Sequence, residues 1–75
     1  MPYVDIKCFP RTQEMREDIV QKINQVLIDA WGCPPETISI SLEEVAPENW
    51  DAQVKTAEMD PREESMFILH GEKRF

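Results

Sequence analysis

The sequence predicts an α+β fold. A βαβ protomer has two parallel strands and one long helix, followed by a short second helix and a C-terminal edge strand. Three observations predict it. Two segments, 2–9 and 37–45, alternate apolar and polar residues with the period of a strand. Between them, apolar residues recur at helical spacing. A strand, a helix and a strand in that order make a parallel pair with a right-handed crossover.

In the first segment, Val4, Ile6 and Cys8 share one face, while Tyr3, Asp5, Lys7 and Phe9 share the other. Pro10 ends the strand because it has no N–H for a ladder. Thr12 is the expected N-cap of the helix. Met15, Ile19, Ile23, Val26, Leu27 and Ala30 form its apolar stripe, and charged and amide residues occupy its other sides. Gly32 suits the position just past its end, and Pro34-Pro35 forbids continuation. In the second strand Ile38, Ile40 and Leu42 oppose Ser39, Ser41 and Glu43.

After Pro47 the pattern weakens. Trp50, Val54 and Ala57 fit a short helix over about 48–58. Asp60-Pro61-Arg62-Glu63 reads as a newly capped turn, with Asp60 as N-cap and Pro61 first in the helix. Met66–Leu69 reads as an edge strand, His70-Gly71-Glu72 as its turn, and Lys73-Arg74-Phe75 as a tail. Without internal repeats or linker-like composition, residues 1–75 are expected to form a single domain.

The chain is short. At 75 residues, a fold buries only about 60% of its unfolded surface and needs a staple. Two cysteines allow at most one disulfide, and no Cys/His cluster has metal-ligand spacing. Oligomerisation is the remaining route. A two-stranded sheet also has unpaired edges and one uncovered face, so a two-fold homodimer with a four-stranded sheet is expected.

Eight Lys and Arg against fifteen Asp and Glu give a net charge of −7. That excludes nucleic acid as a partner and disfavours anionic membrane surfaces. No apolar run approaches the ~20 residues of a membrane span, and the N-terminus lacks the basic and apolar regions of a secretory signal. The expectation is a cytoplasmic protein with Cys8 and Cys33 reduced.

Few residues offer chemistry. His70 is the one histidine and Gly32 and Gly71 are the only glycines. Neither a Ser/His/Asp arrangement nor a phosphate loop can be drawn. His70 beside an apolar run reads as structural, and Cys8 as a small buried hydrophobe. Pro2 is different. Loss of Met1, favoured by a small following residue, would turn its nitrogen from an amide into a secondary amine. A free α-amino group titrates at about 7.7–8.0, and an apolar pocket lowers that value. Such an amine can remove and return a proton near neutrality.

Pro2 opens a strand running Asp5-Ile6-Lys7-Cys8-Phe9-Pro10-Arg11. With the single helix, Ile38-Ser39-Ile40-Ser41-Leu42 and Glu44-Val45-Ala46-Pro47-Glu48-Asn49-Trp50, it resembles the tautomerase superfamily. Within that 4-oxalocrotonate tautomerase-like group, it is most similar to the short dimeric enol-phenylpyruvate tautomerases. The resemblance covers roughly residues 2–55 and implies a cofactor-independent isomerase with Pro2 as general base and acid. It implies that Arg11, one position from the family's arginine, holds a substrate carboxylate. The ordinary alternative for Arg11 is a turn residue pairing with Glu14. Trp50 matches an aromatic position that keeps the proline environment apolar. Ser39 replaces an arginine of the hexameric dicarboxylate enzymes, which implies a small 2-oxo or 2-enol monocarboxylic acid such as a phenylpyruvate-like compound. Tyr3 is a further candidate wall. Two alternatives remain open: dehalogenation or hydration of an unsaturated acid on the same scaffold, with Glu43, Glu44 or Glu48 as the activating carboxylate but few cations to assist it, and a non-catalytic dimeric interaction module.

Overall fold

The computed structural model describes all 75 residues, in two compact units, Met1–Val45 and Ala46–Phe75. The first unit is the βαβ element. Strand β1 (Tyr3–Cys8) leads to helix α1 (Gln13–Trp31), a 3₁₀ turn at Pro35–Thr37 and strand β2 (Ser39–Glu44). The strands are parallel and in register from Tyr3 opposite Ser39 to Cys8 opposite Glu44. The ladder continues at both ends: Ser39 N–H donates to the Pro2 carbonyl at 3.2 Å, and Val45 N–H to the Cys8 carbonyl at 2.8 Å.

Both ends of α1 follow the sequence signals. Thr12 keeps an extended backbone (φ −67°, ψ 158°), and its hydroxyl oxygen accepts the Met15 N–H at 3.2 Å. One of the four orphan donors of the first turn is thereby satisfied. Gly32 stands in the left-handed region at φ 65° and donates its N–H to the Ile28 carbonyl at 2.9 Å. Only glycine occupies that conformation without a Cβ penalty.

The second unit departs from expectation in three ways. Helix α2 (Pro47–Trp50) does not stop near residue 58. It widens into a π-helix over Asp51–Met59 and tightens into a 3₁₀ helix over Asp60–Ser65. Asp60 is therefore not an N-cap. Its backbone is helical (φ −58°, ψ −44°) and its N–H donates five residues back, to the Lys55 carbonyl. Pro61 has no N–H and its ring crowds the carbonyl four residues earlier, and here the wide and tight ladders on either side carry the chain past it. The C-terminal strand is present as β3 (Ile68–Leu69), but it pairs antiparallel with β4 (Glu72–Lys73) in a hairpin outside the parallel sheet. His70 and Gly71 turn it with positive φ at both positions, 50° and 80°, the pattern of a two-residue hairpin turn. The expected tail is ordered. Arg74 N–H donates to the Phe67 carbonyl at 2.7 Å, the Phe67 and Phe75 rings lie 5.5 Å apart, and Lys73 Nζ sits 4.5 Å from the Phe75 centroid.

The hydrophobic core is small. Val45 and Val54 are the buried hydrophobic residues, and α1 contributes none. Along α1, Met15, Ile19 and Val26 are 54%, 43% and 61% exposed. Helix-end chemistry therefore weighs heavily in stability. Thr12→Ala is expected to cost about 1 kcal/mol, and Gly32→Ala about 1–2 kcal/mol. Urea denaturation read by circular dichroism checks both, and unchanged midpoints would contradict the cap assignments.

Candidate active site

Pro2 stands half-buried at the head of β1, its carbonyl tied to β2 through the Ser39 N–H. Met1 is fully exposed. While Met1 is attached, the Pro2 nitrogen is a tertiary amide without basicity; its removal frees a secondary amine at a position fixed by the sheet.

Ser39 is brought to the same end. It is the register partner of Tyr3, and it shares the exposed sheet face with Tyr3 and Ser41. On that face Lys7 Nζ donates to Asp5 Oδ2 at 2.7 Å, Ser41 Oγ donates to Asp5 Oδ1 at 2.7 Å, and the Tyr3 hydroxyl lies 3.4 Å from Ser41 Oγ. Because Ser41 gives its one proton to Asp5, the Tyr3 hydroxyl is the donor to Ser41. The chain fixes the tyrosine beside Pro2. The Lys7 side chain is only 19% exposed, because it bridges Asp5 and Glu43, the latter at 3.6 Å.

Arg11 lies at the other end of β1. Its backbone N–H donates to Glu44 Oε2 at 2.7 Å and its guanidinium Nη1 to the Pro10 carbonyl at 3.1 Å. It makes no pair with Glu14. Glu44 Oε1 accepts from Arg16 Nη1 at 3.2 Å, and Arg16 Nη2 donates to Gln13 Oε1. Arg11 also borders a cleft of about 360 Å³ between sheet and helix, walled by Ile6, Cys8, Leu42, Met15 and Ile19.

A strand rises about 3.3 Å per residue, so the length of β1 separates Pro2 from Arg11 by about 20 Å. One chain thus joins Pro2 with Ser39 and Tyr3, but not with Arg11. Trp50 is half-buried in the second unit, as the last residue of α2. Sequence reasoning missed Asp5 and Ser41, and read Glu44 only as a candidate activating carboxylate, not as a partner of Arg11. The first two were legible as same-face neighbours of Tyr3 at strand spacing. Glu44 was not, because its role depends on the register that sets it opposite Cys8. His70 is an exposed turn residue, and Cys8 and Cys33 are free, half-buried thiols.

Comparison with known proteins agrees with the fold. A family model described as Tautomerase enzyme matches residues 2–59. The chain is 37% identical over 73 residues to Tautomerase PptA of Escherichia coli O127:H6 (strain E2348/69 / EPEC), covering 95% of this chain and 96% of that one. It is 35% identical, with the same coverage, to Tautomerase PptA of Enterobacter sp. (strain 638) and of Shigella sonnei (strain Ss046). A parallel βαβ unit opening on proline thus belongs to an enzyme, an isomerase. The chain is a member of the tautomerase family.

The polar chain on the sheet face generates one prediction. Asp5→Ala deprives Ser41 and Lys7 of an acceptor and should destabilise the protein by about 1 kcal/mol. Chemical denaturation at low and at about 1 M salt checks it, since salt screens the Lys7 contribution and narrows the difference. Equal stability of both proteins at low salt would contradict the network.

Proposed function

We propose that the protein interconverts the keto and enol forms of a small 2-oxo or 2-enol monocarboxylic acid, phenylpyruvate-like in character, with Pro2 as general base and acid after Met1 is removed. One observation carries the reading. The exposed Met1 is open to processing, while Pro2 behind it is half-buried and anchored to β2. The same-length relatives named as tautomerases support it.

The neutral Pro2 amine takes the proton of the enol hydroxyl, leaving an enolate whose charge is spread over oxygen and carbon. The Pro2 ammonium then delivers that proton to carbon, giving the keto form and restoring the amine. The exchange is proton-neutral and electron-neutral and calls for no cofactor. Arg11 binds the carboxylate as a forked donor. Ser39 and backbone N–H groups at the head of the sheet stabilise the enolate oxygen. Trp50 enters on the family resemblance, as an apolar wall that favours the neutral amine. A dehalogenase or hydratase needs a free activating carboxylate. Of Glu43, Glu44 and Glu48, the first is paired with Lys7 and the second engaged by Arg11 and Arg16; Glu48 stays open, but that chemistry also needs extra arginines, and with eight Lys and Arg in the chain the tautomerase is favoured.

The protein acts as a homodimer. Both strands of the sheet have an open edge, and Met15, Ile19 and Val26 expose an apolar stripe on α1. Antiparallel pairing of β1 with its copy about a two-fold axis extends the sheet and covers that stripe. It also carries Arg11 of one copy to the Pro2 end of the other. The free thiols of Cys8 and Cys33 support a cytoplasmic site of action.

Intact mass should show loss of one methionine. Pro2→Ala should lower kcat for enol-phenylpyruvate, followed by absorbance, by about 10²-fold or more. The rate should rise with pH as the ammonium loses its proton, since only the neutral amine accepts one. Full activity in Pro2→Ala would refute the mechanism. Ile19→Asp should yield monomers by light scattering and lose activity with the dimer; an active monomer would refute the dimer.

A further inference from the structure

We propose that Glu44 is the positioning residue for Arg11, holding the turn after β1 while leaving the Arg11 guanidinium free for substrate. This rests on the reading of Arg11 as the carboxylate-binding group.

Glu44 closes β2 opposite Cys8, the last residue of β1, so its side chain stands where the chain leaves the sheet. The Arg11 N–H lies past the ladder and before the helix, where neither supplies an acceptor. Glu44 Oε2 supplies it at 2.7 Å, a charge-assisted bond that fixes the backbone carrying Arg11. The neighbouring Val45 N–H to Cys8 carbonyl bond, at 2.8 Å, fixes the backbone from which Glu44 projects.

How the charges are allotted matters as much. The second oxygen of Glu44 is taken by Arg16 Nη1 at 3.2 Å, with both side chains only about a third exposed. Arg16 in turn is held by Gln13. Glu44 thus grips Arg11 by its main chain and neutralises Arg16, not Arg11. The Arg11 guanidinium meets only the Pro10 carbonyl. In a protein of net charge −7, a guanidinium that forms no ion pair with a carboxylate of its own chain is what binding a substrate carboxylate requires.

The test is a double-mutant cycle on the processed, full-length enzyme, with an enol monocarboxylate and its neutral methyl ester as substrates. Glu44→Ala should raise KM for the acid about tenfold, with kcat within about threefold. Glu44→Gln keeps an acceptor for the Arg11 N–H and should recover at least half of the lost affinity on a logarithmic scale. KM for the ester should not move. In an Arg11→Ala background Glu44→Ala should change KM less than twofold. A merely structural glutamate would raise KM equally with and without Arg11, or for acid and ester alike, and either result overturns the proposal. If Arg11→Ala leaves KM for the acid unchanged, the reading of Arg11 fails and the proposal with it. If Arg11→Ala raises KM and neither Glu44 variant does, the proposal alone fails. Should Glu44→Ala not fold, Glu44→Met, of similar size but without an acceptor for the Arg11 N–H, takes its place, and an unmoved KM for the acid in that variant rejects the role.

Discussion

The parallel pairing of β1 with β2 is the constraint on which the rest depends. It sets Tyr3 beside Ser39 and Cys8 beside Glu44. The first pairing anchors Pro2 and gathers Ser39 and Tyr3 around it. The second brings Glu44 to the turn that carries Arg11. The same pairing keeps the two groups apart, because a parallel strand has its beginning and end on opposite sides of the unit. A site needing both the proline amine and the arginine fork must draw them from different copies.

That requirement coincides with what stability demands. Two buried valines are a slender core for 75 residues, and α1 buries none of its stripe. A small chain with open strand edges and exposed Met15, Ile19 and Val26 gains most by covering them. In the proposed dimer the surface that completes the fold is the one that completes the site. The energetics of assembly and the chemistry are then linked, and substitutions on the α1 stripe act on catalysis without touching substrate.

Much of the first unit was legible in the sequence. Thr12 and Gly32 announced the ends of α1, and alternation at Val4, Ile6 and Cys8 announced β1, because these signals are local. The second unit was less legible for the opposite reason. Asp60-Pro61 carries the signature of a helix start, but the preceding turns widened enough to absorb the proline, so no restart was needed. The short strand at Lys73 had no alternation to show, and its pairing follows from the His70-Gly71 turn. In the site, Pro2 stood out because an N-terminal secondary amine has unusual chemistry, and Arg11 because cations are few. Glu44 was one candidate carboxylate among fifteen acidic residues, with nothing local to tie it to Arg11. Only the three-dimensional register distinguishes a carboxylate that orders a turn from one that faces water.

In the proposed dimer, Pro2 and Arg11 of different copies form one site. Subunit mixing tests it directly. Pro2→Ala and Arg11→Ala chains, each impaired alone, are unfolded together and refolded as a mixture. Half of the resulting dimers pair one variant with the other, and each such dimer holds one site with both residues intact. The mixture should therefore recover about a quarter of the wild-type activity. Recovery no greater than the average of the two separate variants, with exchange of chains shown by mass, would place Pro2 and Arg11 in the same chain's site or in none, and would refute a site shared between copies.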